Sequence, residues 1–229
     1  MSSCKSAYRA NLNFELVSTR QFFKMWHYSK YVRDGSNVLD LGAGYMDVGK
    51  MLKDNHLNAN YYPIDIEYRR RKGIDDNFVL VDFEVDKLAD KIPNINYDLV
   101  IMSELLQNLD KTTGKKLLRE VYDLPGSGLI CALFRTGKYI ENDSNDRRKF
   151  WEGWTKPEFL DTIKTIGFRI INIFGISYKN SNMLPELDFK NYGVIYDKLR
   201  EFFPDAISRC LLGIDCVDEC KHIMVDMER

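Results

Sequence analysis

The sequence has no long apolar run and almost no net charge. No stretch approaches ~20 uninterrupted apolar residues, and the amino terminus, MSSCKSAYRANLNFEL, has no apolar core of signal-peptide length. The formal charge is −1, so no overall electrostatic field attracts nucleic acid or an anionic membrane surface. We therefore predict a cytoplasmic protein without membrane insertion.

Cysteine is also scarce and poorly arranged for cross-linking. The chain has 5 cysteines, an odd number that does not fit a secreted disulfide framework. Cys210, Cys216, Cys220 and His222 could bind a metal, but their spacing lacks the C-x-x-C pair of common structural zinc sites. We interpret these thiols as small packing residues and predict no metal.

Short β-rich runs alternate with helical stretches along a chain that is 45% hydrophobic. The strand candidates are VLDLG (38–42), YYPID (61–65), FVLVDF (78–83), YDLVIM (97–102), GLICALF (128–134), FRIINIFGIS (168–177) and HIMVDM (222–227). The helix candidates are 18–33, 45–55, 84–91, 111–122 and 155–166. Continuous apolar strands are typical of sheets covered on both faces. The pattern predicts one α/β domain over 1–229 with a doubly wound, mostly parallel, seven-stranded sheet and helices on both faces.

Polar residues follow the first three predicted strands. Gly42 and Gly44 come directly after the first strand, where glycine permits a sharp turn and close approach of the backbone to a ligand. Asp65 ends the second strand about twenty residues later, where a carboxylate can accept hydrogen bonds from the hydroxyls of a ribose. Asp40 lies near the end of the first strand, and Asp82 near the end of the third. Because the three strand ends meet at one edge of the sheet, these residues predict a ligand site there.

A nicotinamide site would use a related glycine loop. Its G-x-G-x-x-G fingerprint requires a third glycine, and the chain has Asp47 at that position. The sequence therefore disfavours dinucleotide binding.

With VLDLGAG and the ordered strand ends, the chain resembles the class I S-adenosylmethionine (SAM)-dependent methyltransferases over nearly its whole length. The resemblance implies a methyltransferase that uses SAM, releases S-adenosylhomocysteine (SAH) and needs no metal. It implies a Rossmann-like sheet whose last strand is antiparallel. It also implies three parts: N-terminal cap helices (1–35), a cofactor-binding half (36–134) and an acceptor-side half (135–229). The implied cofactor-binding residues are Asp40, Leu41, Gly42, Ala43 and Gly44 for the methionine part, Asp65 for ribose, Ile66, Asp82 and Phe83 for adenine, and Ser103 after the fourth strand.

Two positions depart from the pattern of this family. Met46 occupies the place of a third glycine, and Gln107-Asn108 replaces the Glu-His pair of many small-molecule enzymes. Methyl transfer can draw much of its rate from alignment of the reactants. If a base is used, Glu104 is the first candidate and His27 the second. The alternatives are a capping or solvated Glu104 and a surface His27.

The segment 135–154 is the longest polar insertion and is predicted to be a lid over the acceptor. It combines arginines, which suit phosphate or carboxylate, with aromatic side chains. The predicted acceptor-binding residues are Arg135, Tyr139, Arg147, Arg148 and Trp151. A solvated lid with tryptophan anchors is the alternative interpretation.

We predict a small, anionic acceptor methylated on oxygen or nitrogen, such as a phosphorylated or sugar-linked intermediate of surface-polysaccharide synthesis, and a monomer or homodimer. No N/D-P-P-Y/F segment follows the fourth strand, which disfavours DNA and protein amides. An RNA methyltransferase, disfavoured by the near-neutral charge, and a noncatalytic cofactor-binding regulatory subunit are the alternatives.

Overall fold

The computed structural model describes residues 24, 27–28, 30–54, 57–68, 74, 76–126, 128–136, 153–176 and 222–229. Its strands are β1 (Asn37–Leu41), β2 (Asn60–Asp65), β3 (Val79–Leu80), β4 (Leu99–Ser103), β5 (Leu129–Arg135), β6 (Arg169–Ile176) and β7 (His222–Glu228). Its helices are α1 (Asp47–Asp54), α2 (Leu88–Lys91), α3 (Lys111–Asp123) and α4 (Lys156–Ile166), with a 3₁₀ turn at Leu106–Asn108. Lys24, His27 and Tyr28 are also helical, within the predicted helix 18–33.

The seven strands form one sheet in the order β3-β2-β1-β4-β5-β7-β6. The pairs β1–β2, β1–β4, β2–β3 and β4–β5 are parallel. β7 lies between β5 and β6 and is antiparallel to both. The predicted doubly wound sheet with an antiparallel last strand is confirmed.

Both faces of the sheet are covered by apolar residues, which explains the continuous hydrophobic runs. Successive side chains of a strand point to opposite faces. In β4, Leu99 and Ile101 pack into one core cluster, whereas Val100 and Met102 pack into the other. Each strand must therefore be apolar at nearly every position.

Helices α3 and α4 begin where their sequences provide caps. The Asp110 carboxylate accepts the backbone N–H groups of Thr112 and Thr113 at 2.8 and 3.0 Å. The Thr155 hydroxyl accepts the N–H of Glu158, and Gly167, with φ +115°, caps the other end of α4 after Ile166. The Asp110 and Thr155 caps satisfy N–H groups that have no partner within the helix.

The third strand is shorter than predicted. The prediction was 78–83, but β3 ends at Leu80, so Asp82 and Phe83 lie beyond it. Asp82 Oδ1 accepts the N–H of Glu84 at 2.9 Å, and the Asp82 carbonyl accepts the N–H of Asp86 at 2.7 Å. These local bonds favour a turn over strand pairing. As a result, α2 begins at Leu88 and not at the predicted residue 84.

The prediction of 1–229 as one domain, with its three parts, stays a prediction. Most of the predicted lid, 137–152, lies outside the described residues, as do Cys210, Cys216 and Cys220. Within the described part of the chain, no helix combines the length and the apolar composition needed to cross a membrane.

Candidate functional site

A cleft of about 480 Å³ opens at the carboxyl ends of β1, β2 and β4. Ligands of open α/β sheets bind at this edge. The predicted residues that line the cleft are Asp40, Gly42, Ala43, Gly44, Asp65, Ile66, Asp82, Phe83, Ser103 and Glu104. Leu41 is fully buried in β1 and is not among them. The topology thus brings together residues that lie as far apart in the sequence as Asp40 and Glu104.

The glycine loop after β1 turns through two left-handed residues. Gly42 has φ +73° and Gly44 has φ +54°, values that favour glycine. The N–H groups of Gly42 and Ala43 donate to the Ile64 carbonyl at 2.8 and 2.9 Å. The Gly44 N–H donates to Asp65 Oδ2 at 2.8 Å. These amides tie the loop to the end of β2, and the close approach of the loop to a ligand stays a prediction.

Met46 has a left-handed backbone at the position where the family pattern has a third glycine. Its φ is +55° and its side chain is fully buried in the core cluster that also contains Tyr28 and Met51. A non-glycine residue in this conformation carries strain of about 1 kcal/mol. Burial of the methionine side chain, worth about 1.5–3 kcal/mol, outweighs that strain. The strained backbone also explains why α1 begins at Asp47 rather than at the predicted residue 45.

We expect Met46→Ala to lower the free energy of unfolding by about 2–5 kcal/mol, because it leaves a cavity in the core. Met46→Gly removes the same side chain but also relieves the left-handed backbone. The glycine variant should therefore be at least as stable as the alanine variant. Elsewhere in a helix or strand, glycine lowers stability by about 0.5–1 kcal/mol relative to alanine. Urea unfolding of both variants measures the difference. A glycine variant that is clearly less stable than the alanine variant contradicts the assigned strain.

Asp65 lies at the end of β2 with a half-buried carboxylate. Oδ2 accepts the Gly44 N–H, and Oδ1 accepts the Glu67 N–H at 3.2 Å. Each carboxylate oxygen can accept more than one hydrogen bond, so capacity for two hydroxyl donors remains. Beside it, Ile66 and Tyr45 are 61% and 67% exposed and line the cleft. The combination of a hydroxyl acceptor and exposed apolar surface suits a nucleoside.

Ser103 and Glu104 bring polar groups to the end of β4. Glu104 has φ +60°, a left-handed conformation that is rare outside glycine and that clusters at functional sites. Its N–H donates to the Leu133 carbonyl at 2.7 Å, which fixes this backbone between β4 and β5. Asn108 from the 3₁₀ turn donates to the Glu104 carbonyl at 2.7 Å and also lines the cleft. Glu104 therefore lies in the predicted cleft on a constrained backbone.

Lys24 lines the cleft, although the sequence motifs did not indicate it. Its Nζ donates to Ser103 Oγ at 3.1 Å and lies 3.9 Å from Glu104 Oε1. The available signal was its position one helical turn before His27 and Tyr28 in QFFKMWHY, since residues at this spacing share a helix face.

The Asp40 carboxylate is 2% exposed. Burial raises its pKa from an ordinary value of 3.8 to about 7, although the Tyr61 hydrogen bond and the positive charge of Lys24 lower it. Tyr61 donates its hydroxyl to Asp40 Oδ2 at 2.6 Å. Asp40 therefore changes charge near neutral pH at the wall of the cleft.

The other candidate base, His27, is buried and not among the residues that line the cleft. Its Nε2 lies 2.9 and 3.0 Å from the two carboxylate oxygens of Asp226 on β7. It also forms an edge-to-face contact with Tyr31. His27 is thus neither a surface residue nor a residue of the cleft wall.

The predicted acceptor site is described only at its start. The Arg135 N–H, at the end of β5, donates to Gln107 Oε1 at 2.6 Å. Trp154 is buried against Phe159, as the anchor interpretation predicts. Tyr139, Arg147, Arg148 and Trp151 lie outside the described residues.

The described part of the cleft wall is acidic. Six of its lining residues carry carboxylates: Asp40, Asp47, Asp65, Asp82, Glu84 and Glu104. Among the same described lining residues, Lys24 is the only cation. This charge pattern favours a ligand with positive charge over a polyanion.

Comparison with solved structures gives the same fold at low sequence identity, whereas no protein-family model and no curated protein matches the sequence. A SAM-dependent methyltransferase from Archaeoglobus fulgidus is 16% identical with a TM-score of 0.56, over 91% of this chain and 92% of that one.

Two further neighbours carry different named activities. The 1,6-didemethyltoxoflavin-N1-methyltransferase of Burkholderia thailandensis, solved with its substrate and SAH, is 10% identical with a TM-score of 0.54, over 91% of this chain and 76% of that one. The 4+2 cyclase SpnF is 12% identical with a TM-score of 0.57, over 91% and 81% of the two chains. The protein therefore has the Rossmann-like fold of the class I SAM-dependent methyltransferases.

Proposed function

We propose that this protein is a SAM-dependent methyltransferase that methylates an oxygen or nitrogen atom of a small acceptor. The observation that carries the proposal is the convergence of the glycine loop, Asp65 and the exposed Ile66 in one cleft at the carboxyl edge of the sheet. The fold alone does not decide the reaction, because unrelated activities occur on one fold.

The residues of the cleft fit the cofactor. Asp65 keeps acceptor capacity for two ribose hydroxyls, and Ile66 and Tyr45 expose apolar surface to an adenine ring. The cleft volume of about 480 Å³ lies within the usual range for small-molecule sites. The acidic wall suits SAM, which carries a positive sulfonium. The proposed cofactor residues are Asp40, Gly42, Ala43, Gly44, Asp65, Ile66, Asp82, Phe83 and Ser103.

Bound SAM supplies an electrophilic methyl group. The residues of the chain contribute position: a nucleophile held in line with the methyl group removes much of the entropic barrier. Glu104 is the proposed base, because its carboxylate lies at the cleft on a constrained backbone, whereas the His27 imidazole bonds to Asp226. Asn108 positions Glu104 through its carbonyl.

The proposed acceptor is a small, anionic metabolite, with surface-polysaccharide synthesis as the suggested setting. Support for the negative charge comes from the arginines of 135–154, because guanidinium groups bind phosphate and carboxylate in a bidentate manner. The described cleft wall is acidic, so charge recognition has to come from Arg135, Arg147 and Arg148. The same acidic wall opposes an RNA backbone, which supports a small acceptor over RNA.

Calorimetry tests the cofactor assignment. The wild-type protein should bind SAM and SAH without added metal, and Asp65→Ala should weaken both by about 1–3 kcal/mol through the loss of hydroxyl acceptors. Asp65→Asn is the matched control: it keeps an oxygen for the Gly44 N–H and should lose less. Unchanged affinity in Asp65→Ala would remove the ribose assignment.

Transfer of label from methyl-labelled SAM tests the reaction. We expect label in the small-molecule fraction of a metabolite extract and none in purified RNA. Label in RNA would establish the RNA alternative. Tight cofactor binding without label in either fraction would indicate a noncatalytic regulatory subunit.

A further inference from the structure

Asp226 is a buried carboxylate on β7, the strand between β5 and β6. It is 0% exposed and stands opposite Cys131 of β5. Transfer of a carboxylate into a protein interior is costly unless partners compensate for the lost water. A charged residue at this position therefore requires several hydrogen-bond donors around it.

Among the residues that the structure describes, four side chains contact this carboxylate. His27 Nε2 lies 2.9 and 3.0 Å from its two oxygens, and the Tyr31 hydroxyl donates to Oδ2 at 3.2 Å. Cys131 Sγ donates to Oδ1 at 3.1 Å, and Asn172 Nδ2 donates to Oδ2 at 3.4 Å. We name these five residues the Asp226 node. The node joins β5, β6 and β7 to residues that precede β1.

The residues that precede β1 meet the sheet through a polar face. Lys24, His27 and Tyr28 are helical, and Tyr31 follows in a turn. The spacing of three and four residues places Lys24, His27 and Tyr28 on one side of a helix. Lys24 is 8% exposed and His27 is 3% exposed. This helical segment is thus attached to β7 by two side-chain hydrogen-bond donors, His27 and Tyr31.

The other end of the same face reaches the cleft. Lys24 Nζ contacts Ser103 and lies near Glu104, and Lys24 lines the cleft. Lys24 and His27 are both helical and three residues apart, about 4.5 Å along a helix axis, so the node and the cleft wall are linked over a short distance. A shift of the segment on β7 would move the Lys24 ammonium relative to the cleft wall.

We propose that Asp226 is a positioning residue, which acts through His27 and Tyr31 to hold the Lys24 ammonium in the cleft and thereby sets the charge that the cofactor meets. The inference rests on the proposed function, because its readout is cofactor binding. Lys24 opposes a positively charged ligand, and SAM carries a sulfonium charge that SAH lacks. Lys24 in place therefore lowers the affinity for SAM relative to SAH.

The ratio of SAM affinity to SAH affinity separates this role from a general effect on stability. Lys24→Met removes the ammonium but keeps an unbranched chain, and should raise the ratio about fivefold. Asp226→Asn keeps the shape of the side chain but loosens the node, and should raise the ratio about two- to threefold as Lys24 moves away. In the double variant the ratio should equal that of Lys24→Met alone, because no ammonium remains to be displaced.

Two results of the calorimetry would overturn the inference. An Asp226→Asn variant that weakens SAM and SAH equally has only a structural defect. An Asp226→Asn effect that persists unchanged in the Lys24→Met background does not act through Lys24. Failure of the wild-type protein to bind either ligand would instead contradict the proposed function, so the two failures are distinguishable.

A milder variant keeps the inference testable if Asp226→Asn does not fold. Tyr31→Phe removes one donor of the node and should raise the affinity ratio in the same direction, by up to about twofold. Tyr62→Phe, which removes a hydroxyl outside the node, is the matched control and should leave the ratio unchanged. Equal effects of the two substitutions would contradict positioning by the node.

Metal analysis of the purified protein tests the nature of the node. His27, Cys131 and Asp226 present ligand atoms within 4.8 Å of one another, a grouping that could hold a metal ion. The donors around Asp226 satisfy its oxygens without one, so we expect no stoichiometric metal. One equivalent of bound zinc would show that the Asp226 node is a metal site and not a set of hydrogen bonds, and would overturn the inference.

Discussion

Asp40→Asn is expected to stabilise the folded protein by about 4 kcal/mol at pH 8. The carboxyl is almost completely buried, and burial raises its pKa from 3.8 to about 7. Between these values the unfolded chain has lost the proton that the folded chain retains. Stability therefore falls as the pH rises from about 4 to about 7, and the loss is complete above that range. Asparagine avoids the loss while keeping an oxygen for the Tyr61 hydroxyl.

The pH dependence is what distinguishes this explanation from a packing effect. Urea unfolding at pH 5 should show an advantage of only about 1.5 kcal/mol for Asp40→Asn, because wild-type Asp40 is protonated there. Tyr61→Phe is the opposite control: it removes the 2.6 Å hydrogen bond to the carboxylate and should cost more at pH 8 than at pH 5. An equal difference between Asp40→Asn and wild type at both pH values would show that Asp40 does not titrate in this range.

The titration of Asp40 also bears on the proposed site. Below pH 7 a protonated Asp40 removes one negative charge from the cleft wall, and above pH 7 an ionised Asp40 adds it. A cation such as SAM should favour the ionised form, so the carboxylate that lowers stability would support binding. Residues of functional sites often lower the stability of the folded protein in this way.

The sheet and its edge could be predicted because their signals are local. Continuous apolar runs indicated strands covered on both faces, and residues 37–41, 60–65 and 99–103 form strands within two positions of the prediction. Once the strands are parallel, their carboxyl ends meet, and Asp40, Gly44, Asp65 and Ser103 meet with them. The hydrophobic pattern of the strands and their parallel order are therefore sufficient to predict where the cleft lies.

Other features escaped prediction because they depend on hydrogen bonds that a sequence pattern does not encode. The apolar run 78–83 suggested a full strand, but the Asp82 hydrogen bonds ended it after Leu80. The glycine loop lines the cleft, but its amide hydrogen bonds to Ile64 and Asp65 were not predicted. His27 reaches Asp226, which is 199 positions away. Contacts at such separation depend on the assembled sheet, so no window of sequence reveals them.

The charge of the cleft sets a condition on the acceptor. In the proposed function the cofactor and the acceptor share this cleft, whose described wall has six carboxylates and one lysine. An anionic acceptor would have to keep its charged group away from this wall, on the side of Arg135. The two predicted features, a cationic cofactor and an anionic acceptor, are compatible only if the two ligands meet opposite walls.

Gly42→Val should lower the free energy of unfolding by about 3 kcal/mol or more and abolish measurable SAH binding. Gly42 has φ +73°, where a β-branched residue is strained. A Cβ at this position would also lie 3.0 Å from Leu105 Cδ1 and 3.1 Å from Leu105 Cβ. Leu105 is buried and lines the cleft, so its displacement would disturb the core and the site together.

Two further variants separate these causes. Gly44→Ala meets no atom within 4 Å at φ +54°, so it should show the backbone cost alone, about 1 kcal/mol. Leu105→Ala removes the clashing atoms, so the loss caused by Gly42→Val should be smaller in the Leu105→Ala background than in the wild type. Thermal unfolding and SAH calorimetry measure both effects. Additive losses would remove the Leu105 clash as a cause, and normal SAH binding by a folded Gly42→Val variant would leave the glycine loop with a purely structural role.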